Sequence, residues 1–112
     1  MYIGEASKQA GLSIKAIRFY EEKGLIRQPN RKGRYRVYDE TDLELLILIK
    51  EAKDLGIPLS KLKSVIIYSN GKIDWKEIKK FLREIREQLS SKIDDINKQI
   101  NNLDKCYNQI IP

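Results

Sequence analysis

A mostly α fold is predicted: a winged helix-turn-helix domain over residues 1–70 with a small β-hairpin wing, then a long dimerisation helix over residues 74–111. Three observations predict it. Two short helix-patterned segments flank Gly11, a basic stretch with period-two alternation follows them, and a narrow apolar stripe at heptad spacing fills the last third of the chain.

Ile3, Ala6 and Ala10 recur at helical spacing, and Gly11 ends that first helix. Ser13 can cap a second helix over residues 14–23, which stops at Gly24. A helix, a short turn containing Gly and a second helix form the helix-turn-helix pattern, which on its own is common in helical proteins. Pro29 and Asn30 then break the helical pattern, Lys32-Gly33 reads as a turn, and residues 34–38 alternate as a short strand does. A basic hairpin directly after a helix-turn-helix is a wing. Asp39 or Thr41 can start the next helix, which carries Leu43, Leu46, Ile47 and residues 49–52 and stops at Gly56. Pro58 opens a shorter helix over residues 59 to about 67, and residues 68–71 read as a loop.

The last helix starts at Asp74, which with Glu77 forms a D-x-x-E arrangement resembling a capping box. Its apolar residues are Trp75, Ile78, Leu82, Ile85, Leu89, Ile93, Ile96, Ile100, Leu103, Tyr107 and Ile110, a heptad seam with one stutter between Leu89 and Ile93. At 1.5 Å per residue such a helix is roughly 50 Å long. A narrow stripe of that length needs a second long helix to cover it, and the sequence contains no other. The expected cover is a second copy of the chain, with only the first two turns able to pack within their own monomer.

Charge is segregated. Residues 1–38 hold nine Lys/Arg against three acids, an excess of six that accounts for the whole net charge of +6. The remaining residues balance at thirteen of each sign. A cationic third of this kind is the footprint of a polyanionic partner, bound through release of condensed counterions. No apolar run approaches the ~18–20 residues of a membrane span, so no membrane partner is expected. Cys106 is the single cysteine and cannot build an internal disulfide framework, which points to a reducing cytoplasm. An enzymatic reading is weak: the chain has no histidine, no nucleophile–base arrangement and no phosphate-binding glycine loop.

Residues 3–6 (IGEA), 11–13 (GLS) and 16–25 (AIRFYEEKGL) resemble the opening of a MerR-family bacterial transcription regulator. Arg31, the Tyr35-Arg36-x-Tyr38 stretch, Asp42-Leu43 and Ala52-x-x-Leu55-Gly56-x-x-Leu59 continue the resemblance in order, to about residue 67. Residues 15–25 are especially similar to the copper-efflux regulators of that family. The resemblance implies a homodimer through an antiparallel pair of the long helices. It further implies double-stranded DNA as partner, RNA polymerase at the promoter, and activation by bending and untwisting an over-long promoter spacer. Each extra base pair rotates the flanking elements by about 34° at ~10.5 base pairs per turn, and the bend costs ~1–6 kcal/mol.

Site residues follow from the resemblance and from their chemistry together. Lys15 and Arg18 are expected on the exposed face of the second helix, where a major-groove reader makes base and phosphate contacts. Tyr20 can donate to a phosphate near the same face, with a core aromatic as the alternative. Ser13 and the free N–H groups beside it can hold another phosphate. Arg31, Tyr35 and Arg36 of the wing are expected to grip the backbone, with Lys32 and Arg34 adding non-specific attraction. Arg18 could instead pair with Glu21 or Glu22 on its own helix, a contact worth only ~0.2–0.5 kcal/mol. Ile17, Leu12 and Leu25 are assigned to the core.

The sequence departs from the family pattern twice. Arg34 stands where the family places Gly directly before the Tyr-Arg pair, and Gly33 sits one earlier. Metal sensors of the family also carry a cysteine near the start of the dimer helix and a cysteine-bearing loop after it, whereas here the start is Asp74-Trp75-Lys76 and Pro112 closes the sequence. Soft metals need two or more thiolates, or thiolate with imidazole, so no metal and no cofactor is expected. Cys106 falls on the seam beside Tyr107 and reads as a small apolar interface residue. Were the helices antiparallel and crossing near Leu89, the two Cys106 would lie roughly 45–55 Å apart, whereas a disulfide requires Cα atoms ~4.4–6.8 Å apart. The expected function is a homodimeric regulator on a pseudo-palindromic promoter element. The alternative is an architectural or recombination accessory protein that bends DNA without an effector.

Overall fold

The computed structural model describes residues 1–112, which form two compact units, Met1–Ile78 and Lys79–Pro112. In chain order the elements are α1 (Ile3–Ala10), α2 (Ile14–Glu22), β1 (Asn30–Lys32), β2 (Tyr35–Val37), α3 (Glu40–Asp54), α4 (Leu59–Lys63), β3 (Tyr68–Ser69), β4 (Lys72–Ile73) and α5 (Trp75–Gln109). The architecture is mostly helical, with a wing hairpin and a long last helix.

Local chemistry explains the boundaries. Gly11 takes the left-handed conformation that ends α1, and its N–H donates to the Ser7 carbonyl at 3.0 Å. The Ala16 N–H donates to Ser13 Oγ at 3.0 Å, so Ser13 is the N-cap of α2. Of the two candidate starts for α3, Asp39 is the one used. It accepts from the Asp42 N–H at 2.8 Å while Asp42 accepts from the Asp39 N–H at 3.0 Å, a reciprocal capping box.

The first unit is built around α3. The helices α1 and α4 both pack on it, and α1 also packs on α2. Its core gathers Ala6, Ala10, Ile17, Tyr20, Leu25, Ile26, Tyr38, Leu45, Leu46, Ile49, Ala52, Leu62 and Ile78. The chain start closes it at the wing. Met1 donates its ammonium to the Tyr38 carbonyl and accepts from the Tyr38 N–H, both at 2.7 Å, and Tyr2 bridges to Val37.

Four expectations need correction. The wing turn is Gly33-Arg34 rather than Lys32-Gly33: β1 and β2 pair antiparallel with Lys32 opposite Tyr35, and Gly33 carries the positive φ (64°) that a type II′ hairpin puts first. The helix opened by Pro58 ends at Lys63, because the N–H groups of Val65 and Ile66 bond three residues back and tighten the chain out of the α-helix. Residues 68–71 are a second hairpin, not a loop; Asn70 and Gly71 both have positive φ (51° and 75°), as a two-residue type I′ turn requires. At the start of α5, Asp74 accepts from the Lys76 N–H at 3.1 Å, but its own N–H donates to the Ile67 carbonyl, so Glu77 does not complete a capping box.

The helix α5 has 35 residues, which at 1.5 Å each gives about 52 Å. Its expected seam divides. Ile78 is only 2% exposed and belongs to the core of the first unit, which corrects its assignment to a dimer interface. Leu82 and Ile85 are half-buried, and Trp75 is exposed. Leu89, Ile93, Ile96, Ile100, Leu103 and Tyr107 stand 49–76% exposed, and Ile110 lies just past the helix end. Cys106 is an exposed free thiol on the same helix.

Candidate nucleic-acid interface

The helix α2 shows two faces. Ile17 and Tyr20, three residues apart, are buried against the first unit, and the intervening turn places Lys15, Arg18 and Phe19 outward. Neither Lys15 nor Arg18 has an acidic partner within 4 Å. Arg18 does not pair with Glu21 or Glu22; Glu21 turns instead toward the wing. Tyr20 is 2% exposed, so its ring is a core aromatic and the reading of Tyr20 as a surface phosphate donor is corrected. It still borders a surface recess that Ser13, Lys15, Phe19 and Lys53 also line.

Phe19 is the residue that sequence reasoning missed. It is 44% exposed on the same face as Lys15, and the Lys23 ammonium sits 5.5 Å from its ring centre. It opens onto an apolar pocket of about 260 Å³ that also involves Lys23, Leu25, Leu59, Ser60 and Lys63. Phe19 and Tyr20 are adjacent aromatics, and only the phase of the helix against the rest of its unit decides which one is spent in the core.

The wing hairpin sets Arg31 directly opposite Arg36 and Lys32 opposite Tyr35. The Arg31 Nη1 donates to the Arg34 carbonyl at 3.3 Å across the turn, and the Arg34 guanidinium lies 5.8 Å from the Tyr35 ring, which in turn packs on Tyr2. Arg31, Lys32, Arg34 and Tyr35 are all exposed. Arg36 is tied down: its Nε lies 2.9 Å from Glu21 Oε2 and donates to Oε1 at 3.2 Å. A recess lined by Arg18, Glu21, Glu22, Gln28 and Arg36 lies between α2 and the wing. The structure thus brings Arg18 and Arg36 around one recess and Ser13 and Lys15 around another, with Arg31, Lys32 and Arg34 along the hairpin.

Arg27, which follows α2, ties the start of α3 to the second hairpin. It reaches Asp39 at 2.6 Å and Asp42 at 3.2 Å, and its guanidinium lies 5.7 Å from the Tyr68 ring while its N–H donates to the Tyr68 hydroxyl. The hydrogen bond to Asp42 raises the Arg27 pKa further above its already high value. Burial works against the charged form of Asp39, yet hydrogen bonds at Asp42 and the Arg27 guanidinium outweigh it and hold its carboxyl below the ordinary range. At Asp42 burial dominates and pushes the carboxyl up.

No group of three or more His, Cys, Asp or Glu side chains is gathered to hold a metal ion, and no helix is long and apolar enough to cross a membrane. Comparison with known proteins agrees with the geometry. Residues 1–67 match the profile described as MerR HTH family regulatory protein, and residues 43–106 match that described as MerR, DNA binding. The chain is 30% identical over 112 residues to the HTH-type transcriptional regulator CueR of Salmonella typhi, covering 99% of this chain and 77% of the relative. It is 33% identical over 111 residues to a probable heavy metal-dependent transcriptional regulator of Haemophilus influenzae, covering 98% and 82%. Among solved structures, the N-terminal part of the multidrug transporter activator MtaN of Bacillus subtilis is similar at TM-score 0.65 and 24% identity, over 96% of this chain and 97% of that one. The regulator PbrR691 of Ralstonia metallidurans CH34, solved in complex with lead(II), is similar at TM-score 0.59 and 23% identity, over 99% and 88%.

Proposed function

The chain belongs to the MerR family of DNA-binding transcriptional regulators, and from that premise we propose that it works as a homodimer on a pseudo-palindromic promoter element. Each protomer lays α2 in the major groove. Lys15 and Arg18 contact base edges and phosphates there, and Phe19 supplies an apolar surface of the kind a thymine methyl takes. Ser13 and the N–H groups at the start of α2 receive one phosphate. The wing follows the backbone outside the groove, with Arg31, Tyr35 and Arg36 on phosphates and Lys32 and Arg34 adding attraction without base selection. Bending and untwisting the DNA between two half-sites held at fixed separation would realign promoter elements for RNA polymerase.

The observation that carries this reading is the state of Arg18 and Lys15: two cations on an exposed helix face, without acidic partners although Glu21 and Glu22 share the helix. Exposed cations left without an acidic partner are poised for an outside anion. Selection of operator DNA from a random-sequence pool tests it. Wild type is expected to enrich an inverted repeat, and Arg18→Ala to bind duplex DNA with that enrichment lost. Retained selection by Arg18→Ala contradicts the role of α2.

Two relatives are described as heavy metal-dependent regulators, and one similar structure was solved in complex with lead(II). The residues of this chain do not fit a soft-metal site, since Cys106 is the only thiol and there is no imidazole. No effector is assigned to them.

A further inference from the structure

In the reading helix and the wing, four arginines face the proposed DNA surface, and only one of them has a carboxylate partner. Arg18 has none, Arg31 bonds a backbone carbonyl, and Arg34 lies beside an aromatic ring. Arg36 alone is held by Glu21, which sits on α2 and is fifteen residues away in sequence. The Glu21 side chain is 9% exposed, and its Oε2 is sealed from water. The Tyr38 hydroxyl, two residues beyond Arg36, is sealed as well. Its pKa is raised, by burial first and by the Glu21 charge next, which keeps it a neutral group at the base of the wing. This is a packed junction rather than a loose surface pair.

The geometry of the guanidinium gives the junction a purpose. Arginine presents five N–H groups in a rigid planar fork. Glu21 takes the Nε position, so the Nη groups are left free on a side chain that stays about one-third exposed, beside the recess shared with Arg18 and Gln28. The hairpin register adds a second reason. Arg31 stands directly opposite Arg36, and like charges directly opposite on a hairpin repel. A carboxylate from α2 offsets that repulsion and fixes the wing against the helix that reads bases.

We propose that Glu21 is a positioning residue for DNA binding: it clamps the Nε edge of Arg36 so that the Nη edge is presented, pre-oriented, to a backbone phosphate between the reading helix and the wing. Its charge alone disfavours a polyanion; its acceptor atoms are what binding uses. This rests on the DNA-binding reading above.

Charge and geometry are separable by substitution. Glu21→Gln removes the charge and keeps an acceptor, whereas Glu21→Ala removes both, and each is made with Arg36 present and with Arg36→Ala. Binding to a random-sequence duplex about four helical turns long is followed across a salt series, with thermal unfolding as the check that each variant folds. Glu21→Met replaces Ala should Ala not fold. With Arg36 present, Glu21→Gln is expected to bind at least as tightly as wild type. Glu21→Ala is expected to bind several-fold more weakly than Glu21→Gln, with the slope of log affinity against log salt reduced by about one, as for a lost phosphate contact. With Arg36→Ala the two substitutions are expected to bind alike. Equal binding of Glu21→Gln and Glu21→Ala with Arg36 present overturns the proposal, and so does a difference that survives Arg36→Ala. Failure of wild type itself to bind duplex DNA in low salt overturns the functional reading instead.

Discussion

At the residue scale the aromatic pair of α2 shows where sequence reasoning runs out. Phe19 and Tyr20 both carry rings, and a helix of nine residues has too short a repeat to assign them; packing of α2 on its own unit, α1 included, buries Tyr20 and leaves Phe19 outside. The two therefore fail differently. Tyr20→Ala is expected to cost about 3–5 kcal/mol of stability as a large core truncation, read as a fall in Tm. Phe19→Ala is expected to leave Tm nearly unchanged and to lower affinity by about 1 kcal/mol at sites where it meets a T·A pair. The reverse pattern contradicts the assignment. Tyr38 gives a pH test. Its folded pKa is raised above the unfolded value, so its contribution to stability is whole below about pH 10 and is lost as pH climbs through the folded value. Tyr38→Phe is expected to flatten the alkaline loss above about pH 10 in urea unfolding, with a residual slope from Tyr68, whose burial raises it too. An unchanged slope contradicts the burial of the hydroxyl. The Glu21–Arg36 pair was not legible, because fifteen residues and a folded hairpin separate its members, whereas Arg18–Glu21 looked like an ordinary helix neighbour pair.

At the scale of elements, what the sequence announced was what local chemistry decides. Gly11, Ser13 and Asp39 mark helix ends through their own conformations and side-chain oxygens, and each stands where the pattern put it. The second hairpin had a signal that the reading passed over: Asn70-Gly71 is the strongest two-residue turn pair, flanked by Tyr68 on one side and Ile73 on the other. Strands of two residues leave almost no alternation to detect, so the turn was the only evidence. The hairpin is anchored to the domain by Arg27, whose guanidinium faces Tyr68 and lies 3.6 Å from where a Gly71 side chain would begin. Gly71→Ala is expected to destabilise the domain by about 1–2 kcal/mol, the usual cost of forcing an L-residue into the left-handed region, measured by urea unfolding. Full stability contradicts the type I′ turn. The early end of α4 was illegible for a related reason: Lys63 to Ile67 carries no Gly or Pro to stop a helix, and the tightening shows only in the Val65 and Ile66 N–H groups that bond three residues back.

At the scale of the molecule, two asymmetries in the sequence carry the account. One is the concentration of the net charge in residues 1–38, all of it on the unit that holds α2 and the wing. The other is the apolar row of α5, which from Leu89 to Tyr107 stands open to solvent in a single chain. Six large apolar side chains in one row are rarely left exposed by a monomer, and only their heptad spacing was needed to predict a partner helix. The sequence overreached at Ile78, because the first turn of the helix serves its own unit. Ile93→Lys, in the exposed part, is expected to convert dimers to folded monomers and to abolish operator selection while leaving weak, salt-sensitive binding to any duplex.

The most direct measurement is the mass of the wild-type chain in solution, alone and on DNA, by sedimentation equilibrium at micromolar concentration in low salt. The account predicts twice the 13.1 kDa of one chain when free, and two chains per duplex when bound to a selected inverted repeat. A species of one chain mass, or a duplex carrying a single copy, contradicts it.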